Sequence, residues 1–283
     1  MKELRDRVAV VTGAASGIGR AMARRFAREG MRVVLADVEE AALVRTETEL
    51  RREGATTLAV PTDVSRAADV EALARRTVEA FGAVHVLCNN AGVVAGGLFW
   101  ERSVADWEWV LGVNLWGVIH GCRVFVPIML GQDADAHIVN TASMAGLVSG
   151  PFNAIYNVAK HGVVTLSESL HHELTLLGAR IRVSVLCPGW VSTQIFDAER
   201  NRPAHLRVTE PARPPTDQEH MLEEMARQML ASGLDPERVA ELVVAAIREE
   251  RFYVLTHPEW KALVRTRMED ILGDRVPSFT PFT

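Results

Sequence analysis

The chain has 283 residues, 48% hydrophobic and 24% charged, so it can bury a sizeable core and is not a disordered or low-complexity scaffold. Its 31 Lys and Arg against 36 Asp and Glu leave a net charge of −5, without the basic excess of a phosphate-backbone binder, so no nucleic-acid partner is expected. No run reaches the ~18 apolar residues of a membrane span, and the mixed charges of Met1-Lys2-Glu3-Leu4-Arg5-Asp6-Arg7 do not resemble a secretory leader. A cytoplasmic protein without a membrane partner is expected.

Short, nearly continuous β-branched runs recur at 8–11, 32–36, 57–60, 84–88, 136–140, 182–186 and 252–256. Strands buried on both faces of a parallel sheet have this pattern. Between them the spacing turns helical. Ile18, Met22 and Phe26 fall four apart over 18–29, and Val70, Leu73, Val78 and Phe81 mark a second helix over 70–81. Strands alternating with helices predict an α/β fold, with a doubly wound, Rossmann-type parallel sheet of seven strands and helices on both faces. One domain over 1–283 is expected.

The rhythm breaks after residue 193, where Pro203, Pro211, Pro214 and Pro215 stand among arginines. Loops of this length are usually functional. Thr216 and Glu219 resemble a capping box opening a helix through Met221, Leu222, Met225 and Met229. Asp235-Pro236 has the form of an N-cap and a first-turn proline, starting a helix to about Glu249. The stretch at about 193–232 is therefore predicted to be an inserted substrate lid.

Two segments carry chemistry at the ends of predicted strands. The first, Thr12-Gly13-Ala14-Ala15-Ser16-Gly17-Ile18-Gly19, follows the first strand and opens the first helix. Glycine allows tight turns and close ligand approach, and a helix N-terminus favours a pyrophosphate. Asp37 ends the second strand, 18 residues after Gly19, where an acid accepts bonds from adenosine ribose hydroxyls. A carboxylate there repels a 2′-phosphate, so NAD(H) is preferred over NADP(H); the other reading of Asp37 is a cap of the next helix.

In the second segment, Tyr156 and Lys160 stand four apart in a helical pattern over 156–177, which places both on one face. A phenol has a pKa near 10, and a neighbouring ammonium stabilises its phenolate. The pair can thus make a general acid/base from an ordinary tyrosine. Ser143, just past the fifth strand, is positioned to polarise a carbonyl.

Together with Asp63, Asn89-Asn90-Ala91-Gly92, Asn114 and Pro188-Gly189-Trp190-Val191-Ser192-Thr193, these segments resemble the classical short-chain dehydrogenase/reductase family over residues 6–195. The resemblance implies that Tyr156 exchanges a proton with the substrate oxygen and Ser143 stabilises that oxygen. It implies that Lys160 holds the nicotinamide ribose and lowers the phenol pKa, and that Asn114 supports a proton relay to the lysine. The glycine turn (Gly13, Ser16, Gly17, Ile18 and Gly19) and Asp37 are then cofactor residues, as are Asp63 and Val64 at the adenine. Asn90, Ala91 and Gly92 line the cofactor, while Pro188, Gly189, Val191 and Thr193 orient the nicotinamide. The implied reaction is NAD-dependent interconversion of a secondary alcohol and a ketone. An NADPH-dependent carbonyl or 3-oxoacyl-(acyl-carrier-protein) reductase is the alternative, kept open by Arg200, Arg202, Arg207 and Arg213. A non-catalytic dinucleotide-binding regulator would require a broken Ser/Tyr/Lys set.

Trp190, by its motif position, is predicted to line the pocket and favour a bulky apolar substrate. Trp107, Trp109 and Trp116, clustered with Trp100, are expected to pack on the sheet or at a subunit contact. His171-His172-Glu173 lacks metal-ligand spacing, so no metal is expected. Cys88, Cys122 and Cys187 read as buried free thiols of a reducing compartment. A homodimer or homotetramer is expected by analogy.

Overall fold

A computed structural model describes residues 1–207 and 216–279, with only the backbone of 217–219. Pro211, Arg213, Pro214, Pro215 and the side chain of Glu219, and with it the predicted capping box, lie outside the described residues. The strands are β1 (Val8–Thr12), β2 (Arg32–Asp37), β3 (Thr57–Pro61), β4 (Val86–Asn89), β5 (Ala136–Thr141), β6 (Ile181–Cys187) and β7 (Tyr253–Leu255). They form one parallel sheet in the order β3-β2-β1-β4-β5-β6-β7. The helices are α1 (Gly17–Arg28), α2 (Glu40–Arg52), α3 (Ala67–Phe81), α4 (Val104–Leu111), α5 (Gly117–Gly131), α6 (Ala154–Leu176), α7 (Asp217–Ala231), α8 (Pro236–Glu249) and α9 (Lys261–Leu272).

Residues of β1 alternate between two cores. Ala9 and Val11 pack with Met22 and Phe26 of α1, Leu43 of α2 and Val243 of α8. Val8 and Val10 pack with Leu73 of α3, Phe125 of α5 and Val163 of α6. Helices on both faces explain why Val8–Val11 of β1 is apolar without interruption. The predicted helix over 70–81 begins earlier, and its buried stripe runs Val70, Leu73, Ala74 and Thr77, leaving Val78 exposed. Thr77 tolerates burial because its hydroxyl donates to the Leu73 carbonyl at 2.7 Å. The fourth strand begins two residues later than expected; the Gln132 side-chain amide pairs with both backbone groups of Val84 at 2.7 and 2.8 Å.

One continuous helix, Val104–Gly131, meets the length and composition of a membrane span, a property that counting unbroken apolar runs does not detect. Its second half buries Val118, Cys122, Phe125 and Met129 in the core. A π-helical turn at Gly112–Trp116 divides α4 from α5, and such turns are frequent at functional sites. Strand order reverses between β1 and β4, so the carboxyl ends of these strands open the crevice where ligands bind in such sheets.

Candidate active site

The turn after β1 is shaped by glycine. Gly13 has φ +66°, and a Cβ on Gly19 would lie 2.0 Å from the Gly13 carbonyl oxygen. Only hydrogen at Gly19 lets α1 close on the turn. Ser16, at the N-cap of α1, makes no side-chain capping bond. Asp37 accepts from the Ala15 amide through Oδ2 and from the Glu39 amide through Oδ1, both at 2.9 Å. The same carboxylate thus braces the glycine turn and leads into α2, and burial raises its pKa. The N-cap of α2 is Glu39, so Asp37 itself does not cap that helix.

The ends of β1, β4 and β5 are laced together by hydroxyls. Thr12 Oγ1 accepts from the amides of Asn90 and Ala91 at 2.8 and 3.1 Å. Thr141 Oγ1 donates to Asn90 Oδ1 at 3.3 Å. Asn114, fully buried in the π-helical turn, clamps both backbone groups of Val93 at 2.8 Å. A Cβ on Gly92 would lie 3.5 Å from Asn114 Oδ1 and 3.7 Å from Lys160 Nζ, so these two side chains approach one point.

Tyr156 and Lys160 project from successive turns of α6. Lys160 is 2% exposed and donates through Nζ to the Thr141 carbonyl at 2.8 Å. Burial brings its pKa down to about 8. The phenol of Tyr156 is pushed up to about 12 by burial, against a smaller downward pull from its hydrogen bond with Ser143. Sequence reasoning expected the ammonium to lower the phenol; instead Lys160 Nζ stands 5.4 Å from the ring centroid, and desolvation dominates for both groups. Ser143 Oγ also accepts from the Ala145 amide at 3.1 Å.

A fourth wall comes from the loop after β6. Its Gly189 amide donates to Thr256 Oγ1 at 3.1 Å. A Cβ on Gly189 would lie 2.5 Å from the Trp260 ring, and the Trp190 carbonyl accepts from Leu234 at 2.9 Å. Thr193 packs against Gly17, where a Cβ would lie 3.1 Å from the threonine methyl. The result is a cavity of about 870 Å³. It is lined by Gly13, Ser16, Gly17, Ile18, Asp37, Asp63, Val64, Asn90, Ala91, Gly92, Ser143, Tyr156, Lys160, Pro188, Gly189, Trp190, Val191 and Thr193. Gly19 and Asn114 stand behind the wall and shape it.

Trp109 packs off the sheet in a small cluster with Val93, Ile155 and Ala198, with the Arg202 guanidinium 4.1 Å over its ring. It lines the cavity, as does the half-exposed Trp116, whereas Trp100 is largely exposed. Sequence reading passed over Thr12, Thr141 and Thr256 as site-bracing residues. Thr12 and Thr141 had a visible signal, a hydroxyl closing an apolar strand; Thr256 had none. Of the arginines, Arg200 is paired with Glu39, and Arg202 with Asp106 and Glu199. Arg207 is exposed, and Arg213 lies outside the described residues.

The crevice passes a direct test for a dinucleotide: the backbone is tightly packed where glycine is required, and the uncapped start of α1 faces it. A family model described as short chain dehydrogenase matches residues 7–204. The chain belongs to the short-chain dehydrogenase/reductase family. It is 34% identical over 279 residues to a CLA biosynthesis dehydrogenase/reductase of Lactiplantibacillus plantarum, covering 98% of this chain and 97% of that protein. It is 36% identical over 270 residues to a 1-deoxy-11-beta-hydroxypentalenate dehydrogenase of Streptomyces exfoliatus, covering 95% and 89%. A short-chain dehydrogenase/reductase of Burkholderia phymatum, solved in complex with NAD, is 52% identical with a TM-score of 0.96 and full coverage of both chains. This short-chain dehydrogenase/reductase is therefore an oxidoreductase acting on CH–OH groups with NAD(P).

Proposed function

We propose that the chain interconverts a bulky, apolar secondary alcohol and its ketone with NAD(H), using Tyr156 as general acid/base. The observation that carries this reading is the shared cavity: Ser143, Tyr156 and Lys160 at one end, Asp37 and the glycine turn at the other. When bound, the nicotinamide supplies the hydride donor or acceptor chemistry. Tyr156 Oη exchanges a proton with the substrate oxygen, and the Ser143 hydroxyl orients and polarises that oxygen. Lys160, anchored on Thr141, holds the nicotinamide ribose and stabilises the developing phenolate. Asn114 supports the proton path behind Gly92.

NAD is favoured because the Asp37 carboxylate stands where a 2′-phosphate would bring two further charges, and the Burkholderia phymatum relative was solved with NAD. A bulky apolar substrate fits walls of Trp109, Trp190, Ile195, Phe196 and Leu206. Two of the four arginines that keep the acyl-carrier alternative open, Arg200 and Arg202, are engaged by acids. The regulator alternative lacks a broken Ser/Tyr/Lys set. In this reading residues 1–283 act as one unit with a lid at about 193–232. Three buried, free thiols favour a reducing, cytoplasmic setting. Exposed Val158, Leu176 and Leu177 on and beside α6 favour a homodimer or homotetramer.

The test is NADH absorbance on incubation with NAD and a graded panel of secondary alcohols, repeated with NADP. NAD-dependent turnover that improves with apolar bulk is expected. Absence of turnover across the panel, with NADH still bound, would return the chain to the regulator reading.

A further inference from the structure

We propose that Glu39 and Arg200 form a clasp across the cofactor groove, so that the cofactor leaves only when this pair opens. The proposal rests on the NAD(H) reading above. Glu39 stands two residues after Asp37, and its amide donates to the Asp37 carboxylate at 2.9 Å. Its Oε1 accepts from Arg200 Nε and from Asn201 Nδ2, both at 3.0 Å, and lies 2.9 Å from Arg200 Nη2 in an ion pair. These donors belong to the helical turns Ile195–Asn201, which leave the nicotinamide loop beyond Thr193 and reach the adenosine side of the cavity.

Arg200 is a fixed part of this strap. Its Nη1 donates to the carbonyls of Gln194 and Asp197 at 3.2 and 2.8 Å, so the guanidinium moves with the turn that carries it. Two residues on, Arg202 holds the other end. Its Nη2 meets Asp106 Oδ1 at 2.8 Å, and the two side chains are 5% and 8% exposed. The strap is therefore ion-paired to Glu39 at one end and to Asp106 at the other, with Asp197 also meeting Arg227 of α7 at 3.1 Å, and the two end fastenings are of unequal strength.

The inequality says which end opens. Breaking the buried Arg202–Asp106 pair would strand two charges in an apolar cluster against Trp109. The Glu39–Arg200 pair, with side chains 29% and 33% exposed, separates into water at small cost. Asp37, Glu39, Arg200 and Asn201 all border the same cavity. A dinucleotide extended from Asp37 to Lys160 lies beneath the strap, and the exposed fastening is its exit.

The experiment is stopped-flow release of NADH from the full-length protein, chased with excess NAD and followed by NADH fluorescence, for wild type, E39Q, R200Q and R207Q. E39Q and R200Q are expected to release NADH about fivefold faster, the loss of one partly exposed pair and its attached hydrogen bond. Added salt should speed release from wild type and leave R200Q nearly unaffected. R207Q, a change at an exposed arginine of the same segment, should match wild type. Wild-type rates in both E39Q and R200Q overturn the clasp, as does equal acceleration in R207Q. If wild type binds no NADH in an equilibrium titration, the cofactor reading fails and the clasp with it; normal binding with unchanged release defeats the clasp alone.

Discussion

The Lys160 ammonium donates to the carbonyl of Thr141, the last residue of β5, at 2.8 Å. The amine is thus fixed to the sheet edge by a neutral oxygen, and no carboxylate appears among the contacts that shift its pKa. Its pKa, about 8 in the folded chain against an ordinary 10.5, means that folding opposes the charged form. Below pH 8 this opposes stability in full. Between pH 8 and 10.5 the unfolded chain keeps a proton that the folded chain has released, so the penalty fades as pH rises. Lys160→Met should therefore be more stable than wild type at pH 7, by a margin that narrows towards pH 10. Urea unfolding of both proteins at the two pH values checks this. An equal margin at both would show that the amine is not held against its charge.

Tyr156→Phe removes one oxygen from a side chain whose ring already has its place in the cavity wall. Turnover should fall by about 10²–10⁴-fold or more, the usual worth of a positioned acid/base. NADH affinity should change little. Steady-state kinetics beside fluorescence titration separates the two effects, and a variant with near-normal kcat would remove Tyr156 from the chemistry.

Legibility in the sequence followed the physics of each signal. The seven strands were readable because burial on both faces favours nearly continuous apolar runs, as at Val10 and Val11, although β5 and β6 also bury His137, Asn140 and Ser184. The helix 104–131 was not, since an apolar core helix with a π-helical turn has no polar face to mark its period. Tyr156, Lys160 and Ser143 were legible as a set because fixed spacing and strand-end position constrain them. The direction of the phenol pKa was not legible. It depends on how much of the ring is withdrawn from water, which only packing determines. Arg200 and Arg202 look alike in sequence, yet one meets Glu39 and the other is buried on Trp109. Partners 161 and 96 residues away leave no local trace.

Asp37→Asn tests the cofactor preference by removing the charge; its single amide oxygen replaces only one of the two carboxylate oxygens that accept from Ala15 and Glu39. Removing the charge should raise kcat/KM for NADP relative to NAD by about tenfold, the scale of one unfavourable close charge contact. Kinetics with both cofactors reads the ratio directly. An unchanged ratio would leave Asp37 as a brace of the glycine turn alone.

At the amino ends of the central strands β4 and β5, two histidines are held neutral. His85 accepts the Val8 amide through Nδ1 at 3.1 Å, and burial with nearby arginines brings its pKa down to about 4. Ser184 donates its hydroxyl proton to the Arg251 carbonyl at 2.6 Å, so it can only accept from His137 Nε2, 2.7 Å away. That fixes the tautomer and leaves His137 Nδ1 as a buried atom without a hydrogen-bond partner, in a ring whose pKa falls to about 3. Both folded values lie below the ordinary 6.5, so the unfolded chain binds more protons in acid. Their contribution to stability is fully present above about pH 6.5 and drains away as pH falls towards 4 and then 3. Urea unfolding between pH 7.5 and 4.5 should show stability falling below pH 6.5. His85→Asn, which offers an amide oxygen to Val8 and does not titrate, should reduce that fall by roughly 1 kcal/mol after solvent screening. An identical pH slope in His85→Asn would mean that His85 is already free to protonate in the folded chain, and that the Val8 amide does not depend on its Nδ1.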